Sequence, residues 1–358
     1  MKKLLALVLA LTLALSLVGC GGAASSITAD SAVAASTVTD ASTATNAGPY
    51  KIGFSNYFVG NSWKQQMEAE FKQEAEKLKA DGVISEYVML NADSDQSKQI
   101  SDIQDLITMG CDAIVVTCIT EDGLNDVLQE AMDEGIVVAA FDNLCSVDTN
   151  VKITVSDYEF GRSSGEWLAK NVADGSKVIV LDGTAGTACD TNRHNGMVEG
   201  FTAGSPKSEI IATANCAWDY ATAKSSVEDL LAAYPQIDGV LSQGGAMTQA
   251  AIDAFNEAGR KLVPMTGEGG NGFLRVWSEN KDKGFKSCAF VCPCSQGAVA
   301  LTDAIAVLKG EGKGGEHALD TPVITEDNIA EYYRADLNDN YWVSSTLTDD
   351  TLKELFGK

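Results

Sequence analysis

The chain has 358 residues, 45% of them hydrophobic and 21% charged, with a formal net charge of -24. Such an acidic excess repels phosphate backbones and anionic headgroups, so it excludes nucleic acid as a partner and excludes a basic patch as the means of holding a membrane. The globular composition that begins at Pro49 runs long enough for two domains of ordinary size.

In chain order, Lys2-Lys3 precede an apolar run from Leu4 to Leu17, which reads as an export signal over residues 1–19 and is too short to span a bilayer comfortably. The end of that run, Leu17-Val18-Gly19-Cys20, resembles the lipobox of bacterial lipoproteins. That resemblance implies a diacylglycerol on Cys20 and attachment to the outer face of the cytoplasmic membrane, which two acyl chains make stable. Residues 20–48 are nearly all Ala, Ser, Thr and Gly, with no aromatic side chain, and bury too little to offset ordering entropy. They read as a disordered tether.

From Tyr50 onward short β-branched runs alternate with helical patterns, the signature of a parallel sheet with crossover helices. Tyr50 to Phe54 is the first strand, and Trp63, Met67, Phe71, Ala75 and Leu78 then recur on one face of a helix that Gly82 ends. Further strands are expected at 86–90, 113–117, 137–141, 152–155, 177–181, 209–212, 239–242, 262–265 and 287–291. So many strands predict two doubly wound α/β lobes. Eight cysteines follow Cys20, most inside apolar runs where a thiol acts as a small hydrophobe. Cys292-Pro293-Cys294 has too short a spacer for a usual zinc site, and only His194 and His317 could assist, so no metal is expected.

In open parallel sheets ligands bind beyond the carboxyl ends of the strands. The residues there include Asn61, Trp63, Asp142, Asn143, Arg193, Trp218, Gln243 and Glu268. Aromatic planes with a few charged and amide groups suit a polyhydroxylated neutral ligand, the rings covering C–H faces and the polar groups bonding hydroxyls.

These residues, with Lys51-Ile52-Gly53-Phe54, Ala140-Phe141-Asp142-Asn143, Gly183 to Gly196, Trp218-Asp219 and Gly267-Glu268-Gly269, resemble the ribose-binding-protein group of type I periplasmic binding proteins. The resemblance runs from Pro49 to about Leu347. It implies two doubly wound parallel-sheet lobes joined by a three-strand hinge, with residues 49–155 plus 293–318 in the N-terminal lobe and 156–292 plus 319–358 in the C-terminal lobe. It further implies a monomeric solute-binding subunit of an ABC importer that closes on a sugar and delivers it to a membrane permease. By position Trp63 and Trp218 match ligand-stacking aromatics, Asp142 a ligand carboxylate and Arg193 a ligand arginine. Glu268 stands where the family usually has aspartate, Gly244 where an asparagine often binds ligand and Val291 where a glutamine does, which argues against ribose itself. A nucleoside, an amino acid or a signalling furanose remains open as the ligand, and so does a receptor-coupled sensing role.

Gly267-Glu268-Gly269-Gly270-Asn271-Gly272 satisfies G-x-G-x-x-G in form, but Glu268 would face the pyrophosphate, so no dinucleotide cofactor is expected and the glycines are read as bending the backbone around a cleft. There is no G-x-S-x-G elbow and no H-E-x-x-H, and the chain is not expected to be an enzyme.

Overall fold

Strands covered on both faces need continuous apolar runs, and the chain supplies them in two series. The computed structural model describes residues 48–358; the export signal, Cys20 and all but the last residue of the tether lie outside these. The first series is β1 (Tyr50–Asn56), α1 (Ser62–Ala80), β2 (Ile84–Asn91), α2 (Gln96–Thr108), β3 (Ala113–Thr117), α3 (Asn125–Asp133), β4 (Val137–Phe141) and β5 (Val151–Val155). The second is α4 (Asp157–Asn171), β6 (Lys177–Asp182), α5 (Ala188–Gly204), β7 (Glu209–Asn215), α6 (Tyr220–Ala233), β8 (Gly239–Ser242), α7 (Gly245–Glu257), β9 (Met265–Glu268), α8 (Asn271–Asn280) and β10 (Ser287–Phe290). Then come α9 (Gln296–Leu308), β11 (Gly315–Leu319), β12 (Val323–Ile324), α10 (Ile329–Tyr332) and α11 (Asp349–Phe356).

Two six-stranded sheets result, ordered β11-β5-β4-β3-β1-β2 and β12-β10-β9-β8-β6-β7. Every pairing is parallel except that of β10 with the short edge strand β12. After β10 the chain returns to the first sheet, where α9 packs on α1 and β4 and β11 adds an edge beside β5. It then crosses back at β12. The carboxyl ends of β1, β4, β6, β7 and β9 therefore deliver residues to the space between the two sheets.

The first helix is built as its sequence suggests. Met67, Phe71 and Ala75 are fully buried, the Asn61 side chain caps the start by accepting from the Lys64 amide at 2.8 Å, and Gly82 leaves the helix at φ 72°. Two departures have local causes. The ninth strand begins at Met265 rather than at Leu262, since Pro264 has no N–H to donate and offers only its carbonyl, to Val240. Strand β11 escapes an apolar pattern because it is an exposed edge, Gly-Glu-His-Ala-Leu. The eight cysteines of the described residues are free and buried, and no helix there is long and apolar enough to cross a membrane.

Helices α4 and α5 touch backbone to backbone. A Cβ added to Gly165 would stand 2.3 Å from the Met197 carbonyl oxygen, and one on Gly200 would stand 2.2 Å from that of Arg162. This approach fixes α5, and with it Arg193. Gly200→Ala gains about 1 kcal/mol of helix propensity, yet forcing the helices apart outweighs that, with an expected net loss of about 1–3 kcal/mol. Urea denaturation should show a lower midpoint with unchanged slope.

Candidate functional site

A cavity holding about 460 Å³ of atom-free space, part of it open to solvent, lies between the lobes. Asn61, Trp63, Lys64, Asp142 and Asn143 line it from the first lobe, and Cys189, Arg193, Trp218 and Glu268 from the second. Tyr57, Cys292 and Trp342 complete the wall. Seven of the eight residues selected from the sequence thus meet at one cavity.

In the first lobe Lys64 is 3% exposed, and its ammonium donates to Asp142 at 2.6 Å and to the Thr117 hydroxyl at 3.2 Å. It also sits 4.6 Å from the Tyr57 ring centroid. Burial pulls the Lys64 pKa down, but the Asp142 charge and hydrogen bond together with the nearby Tyr57 and Cys189 outweigh it, and the net direction is upward. Asp142 can face the ammonium because its backbone turns left-handed, at φ 58°. Asn143 donates to the Tyr57 hydroxyl at 3.0 Å, while its buried Oδ1 finds no hydrogen-bond partner among the described residues.

In the second lobe Arg193 is 2% exposed and donates through Nε to Asp157 at 2.7 Å and through Nη1 to the Gln243 carbonyl at 3.1 Å. Its guanidinium lies 4.2 Å from the Phe160 ring centroid, and Glu268 approaches to 3.6 Å. Burial pushes the Glu268 carboxyl up to about 7, the Arg193 charge only partly opposing the shift, while the nearby Asp157 charge adds to it. Burial likewise raises Asp157 and the thiols of Cys189 and Cys292.

Trp63 is fixed by donating its indole N–H to the Cys292 carbonyl at 3.0 Å, which ties the first lobe to the segment between β10 and α9. The Trp218 ring lies flat on two glycines. A Cβ on Gly183 would fall 2.1 Å from it and one on Gly244 would fall 2.8 Å away. Gly244, where an asparagine side chain was to be expected by resemblance, is therefore the seat of an indole. Ala217 and Trp218 both take φ 53°, and the Trp218 N–H is buried without a partner among the described residues.

Gln243 does not line the cavity. Its amide donates to Asp182 at 2.9 Å and to the Asp190 carboxylate at 3.0 Å, so it holds the start of α5 and, through its carbonyl, Arg193. Nor do the glycines of residues 267–272 bend the chain, for none has positive φ. They permit close approach instead: a Cβ on Gly269 would press on Val343 at 2.7 Å and one on Gly270 would touch the Trp342 ring at 3.4 Å. Sequence reasoning passed over Lys64, Tyr57, Cys189, Cys292 and Trp342. Lys64 carried a usable signal, a cation next to Trp63 just beyond a strand's carboxyl end.

The periplasmic binding protein domain model matches residues 52–312. The chain belongs to that family. Over 294 residues it is 28% identical to the xylitol-binding protein of Mycolicibacterium smegmatis, covering 80% of each chain. It is 25% identical over 242 residues to the ribose import binding protein of Escherichia coli strain K12, covering 67% of this chain and 80% of that one. Among solved structures, an ABC transporter solute-binding protein from Thermobispora bispora shares the fold with TM-score 0.75 at 24% identity, covering 85% of this chain and 94% of the other. The binding component of an arabinose ABC transporter from Shewanella sp. ANA-3, bound to L-arabinofuranose, gives TM-score 0.70 at 25% identity, covering 79% and 94%. The two α/β lobes with parallel sheets share the fold of a galactofuranose-binding protein, with TM-score 0.70 at 23% identity, covering 79% of this chain and 97% of that one.

The Glu268 carboxyl gives a pH signature. In the unfolded chain it ionises near 4.5, in the folded protein near 7, so between these values the native state holds a proton that the unfolded state has released. Stability from this group is complete below about pH 4.5 and is lost as pH rises through 7. The melting temperature of Glu268→Gln minus that of wild type should therefore grow from pH 5 to pH 7.5 in ligand-free protein. A constant difference would mean Glu268 does not titrate there.

Proposed function

We propose that this protein is the solute-binding subunit of an ABC importer, capturing a sugar or sugar alcohol between its lobes and presenting the closed form to a membrane permease. The observation that carries this reading is a cavity walled by indoles whose charged groups already neutralise one another, while an indole N–H and an amide oxygen are left unpaired. A neutral ligand whose hydroxyls both donate and accept satisfies those two atoms without adding charge. The names of the relatives, which include xylitol-, ribose- and arabinofuranose-binding proteins, point the same way.

Trp63 and Trp218 then cover the C–H faces of the ligand from opposite lobes. Lys64 and Arg193 donate to its hydroxyls with their free N–H groups, and Asp142 and Glu268 accept. Because contacts come from both lobes, ligand favours the closed arrangement by its differential affinity, through hinge motion at the three crossings. An amino acid suits the site less well, as Arg193 is committed to Asp157 and Asp142 to Lys64. On this reading residues 49–155 with 293–318 move against 156–292 with 319–358. Cys20 carries the lipid that keeps the monomer near its permease, and the chain performs no catalysis.

A ligand at a hundred times its Kd stabilises the folded state by about 2.7 kcal/mol. A thermal-shift screen of residues 49–358 against pentoses, hexoses, polyols, nucleosides and amino acids should return its largest shift with a pentose, hexose or polyol. Trp218→Ala should weaken that ligand by about 2 kcal/mol, about 30-fold, with little change in the ligand-free melting temperature. A response confined to nucleosides or amino acids would overturn the ligand class.

A further inference from the structure

The family match ends at residue 312, yet the cavity is closed by Trp342, which comes from the segment beyond it. That segment is bolted to both lobes. On the second-lobe side the Val343 amide donates to the Gly269 carbonyl at 2.9 Å, and the Tyr341 carbonyl accepts from the Asn271 amide at 2.8 Å. On the first-lobe side Gln66 of α1 makes a two-way bond with the Trp342 backbone, accepting from its amide at 2.9 Å and donating to its carbonyl at 2.8 Å. One turn on, Glu70 accepts from the Ser345 and Thr346 hydroxyls, each at 2.7 Å.

The Trp342 indole is held as firmly as its backbone. Its N–H donates to the Ser62 hydroxyl of the opposite lobe at 2.8 Å, and its ring rests on Gly270. Beyond this ring lies a second recess, with about 680 Å³ of atom-free space open to solvent, bordered by Ser62, Tyr220, Gln249 and Asp339. Trp342 lines both spaces.

We propose that Trp342 is a partition that sets the size limit of the ligand, separating the inner cavity from an outer recess that would otherwise accept a longer molecule. This rests on the reading of the inner cavity as a sugar or polyol site. The specificity of the protein then depends on a C-terminal strap as well as on the strand-end loops. The strap's polar bonds to Gln66 and Glu70 hold the wall against the first lobe, so bulk is excluded by a surface the chain itself fixes and not by the ligand's own contacts.

The test compares wild type, Trp342→Ala and Trp342→Leu by calorimetry on matched compact and extended probes: xylitol against D-glucitol, D-ribose against methyl β-D-ribofuranoside, and D-galactose against lactose. Wild type should prefer the compact member of the pair it binds by at least 100-fold. Trp342→Ala should cut that preference at least tenfold, chiefly by gaining affinity for the extended member, with Trp342→Leu intermediate. Should the alanine variant fail to fold, the leucine variant carries the same ratio. An unchanged ratio, whether both affinities fall together or neither moves, overturns the partition and leaves Trp342 a structural residue. Failure of wild type to bind any probe overturns the sugar reading and the partition with it, and is told apart because it appears before any substitution is made.

Discussion

Two cations are buried where the lobes meet, and each is neutralised within its own lobe. An unpaired buried charge costs several kcal/mol, so Lys64 is tolerable only against Asp142, and Arg193 only against Asp157 with Glu268 near by. Neither pair spans the cleft, so the lobes can part without stranding a charge. The partners also hold the side chains in fixed directions before anything binds. The wall's charges are thus paired and close to neutral before anything binds.

Small residues supply the rest of the precision. The glycines of α4 and α5 bring those helices into backbone contact and so place Arg193, while Gly183 and Gly244 form the floor on which the Trp218 ring lies. Gly269 and Gly270 do the same for the strap that carries Trp342. In each case the missing Cβ is what lets a large side chain or a neighbouring backbone come close, whereas at Gly82 the left-handed backbone itself is the reason for glycine.

Much of this was legible in the sequence because it follows from short-range pattern. Continuous apolar runs such as Ala113 to Thr117 announced strands buried on both faces, and the rule that ligands sit at strand ends gathered Trp63, Asp142, Arg193, Trp218 and Glu268 without reference to coordinates. What escaped depends on contacts distant in sequence. Lys64 looks like an ordinary solvated helix residue until Asp142, 78 residues away, is seen to hold it. Trp342 meets Ser62 across 280 residues and belongs to no periodic element. Gln243 was correctly placed at a strand end, but the direction of its side chain is set by Asp182 and Asp190, and it turns away from the cavity. Polar edge strands such as β11 carry no hydrophobic signal to read.

The return of the chain to its first sheet bears on how the protein is made. Strand β11, which completes that sheet beside β5, ends at Leu319, and α1 gains its last partners only from residues 342–348. An emerging chain therefore holds an unfinished first lobe, with the flank of β5 uncovered, until nearly all of it has been synthesised. Contacts of such long sequence separation form slowly. A polypeptide that cannot lock its first lobe early stays threadable until its synthesis is nearly complete.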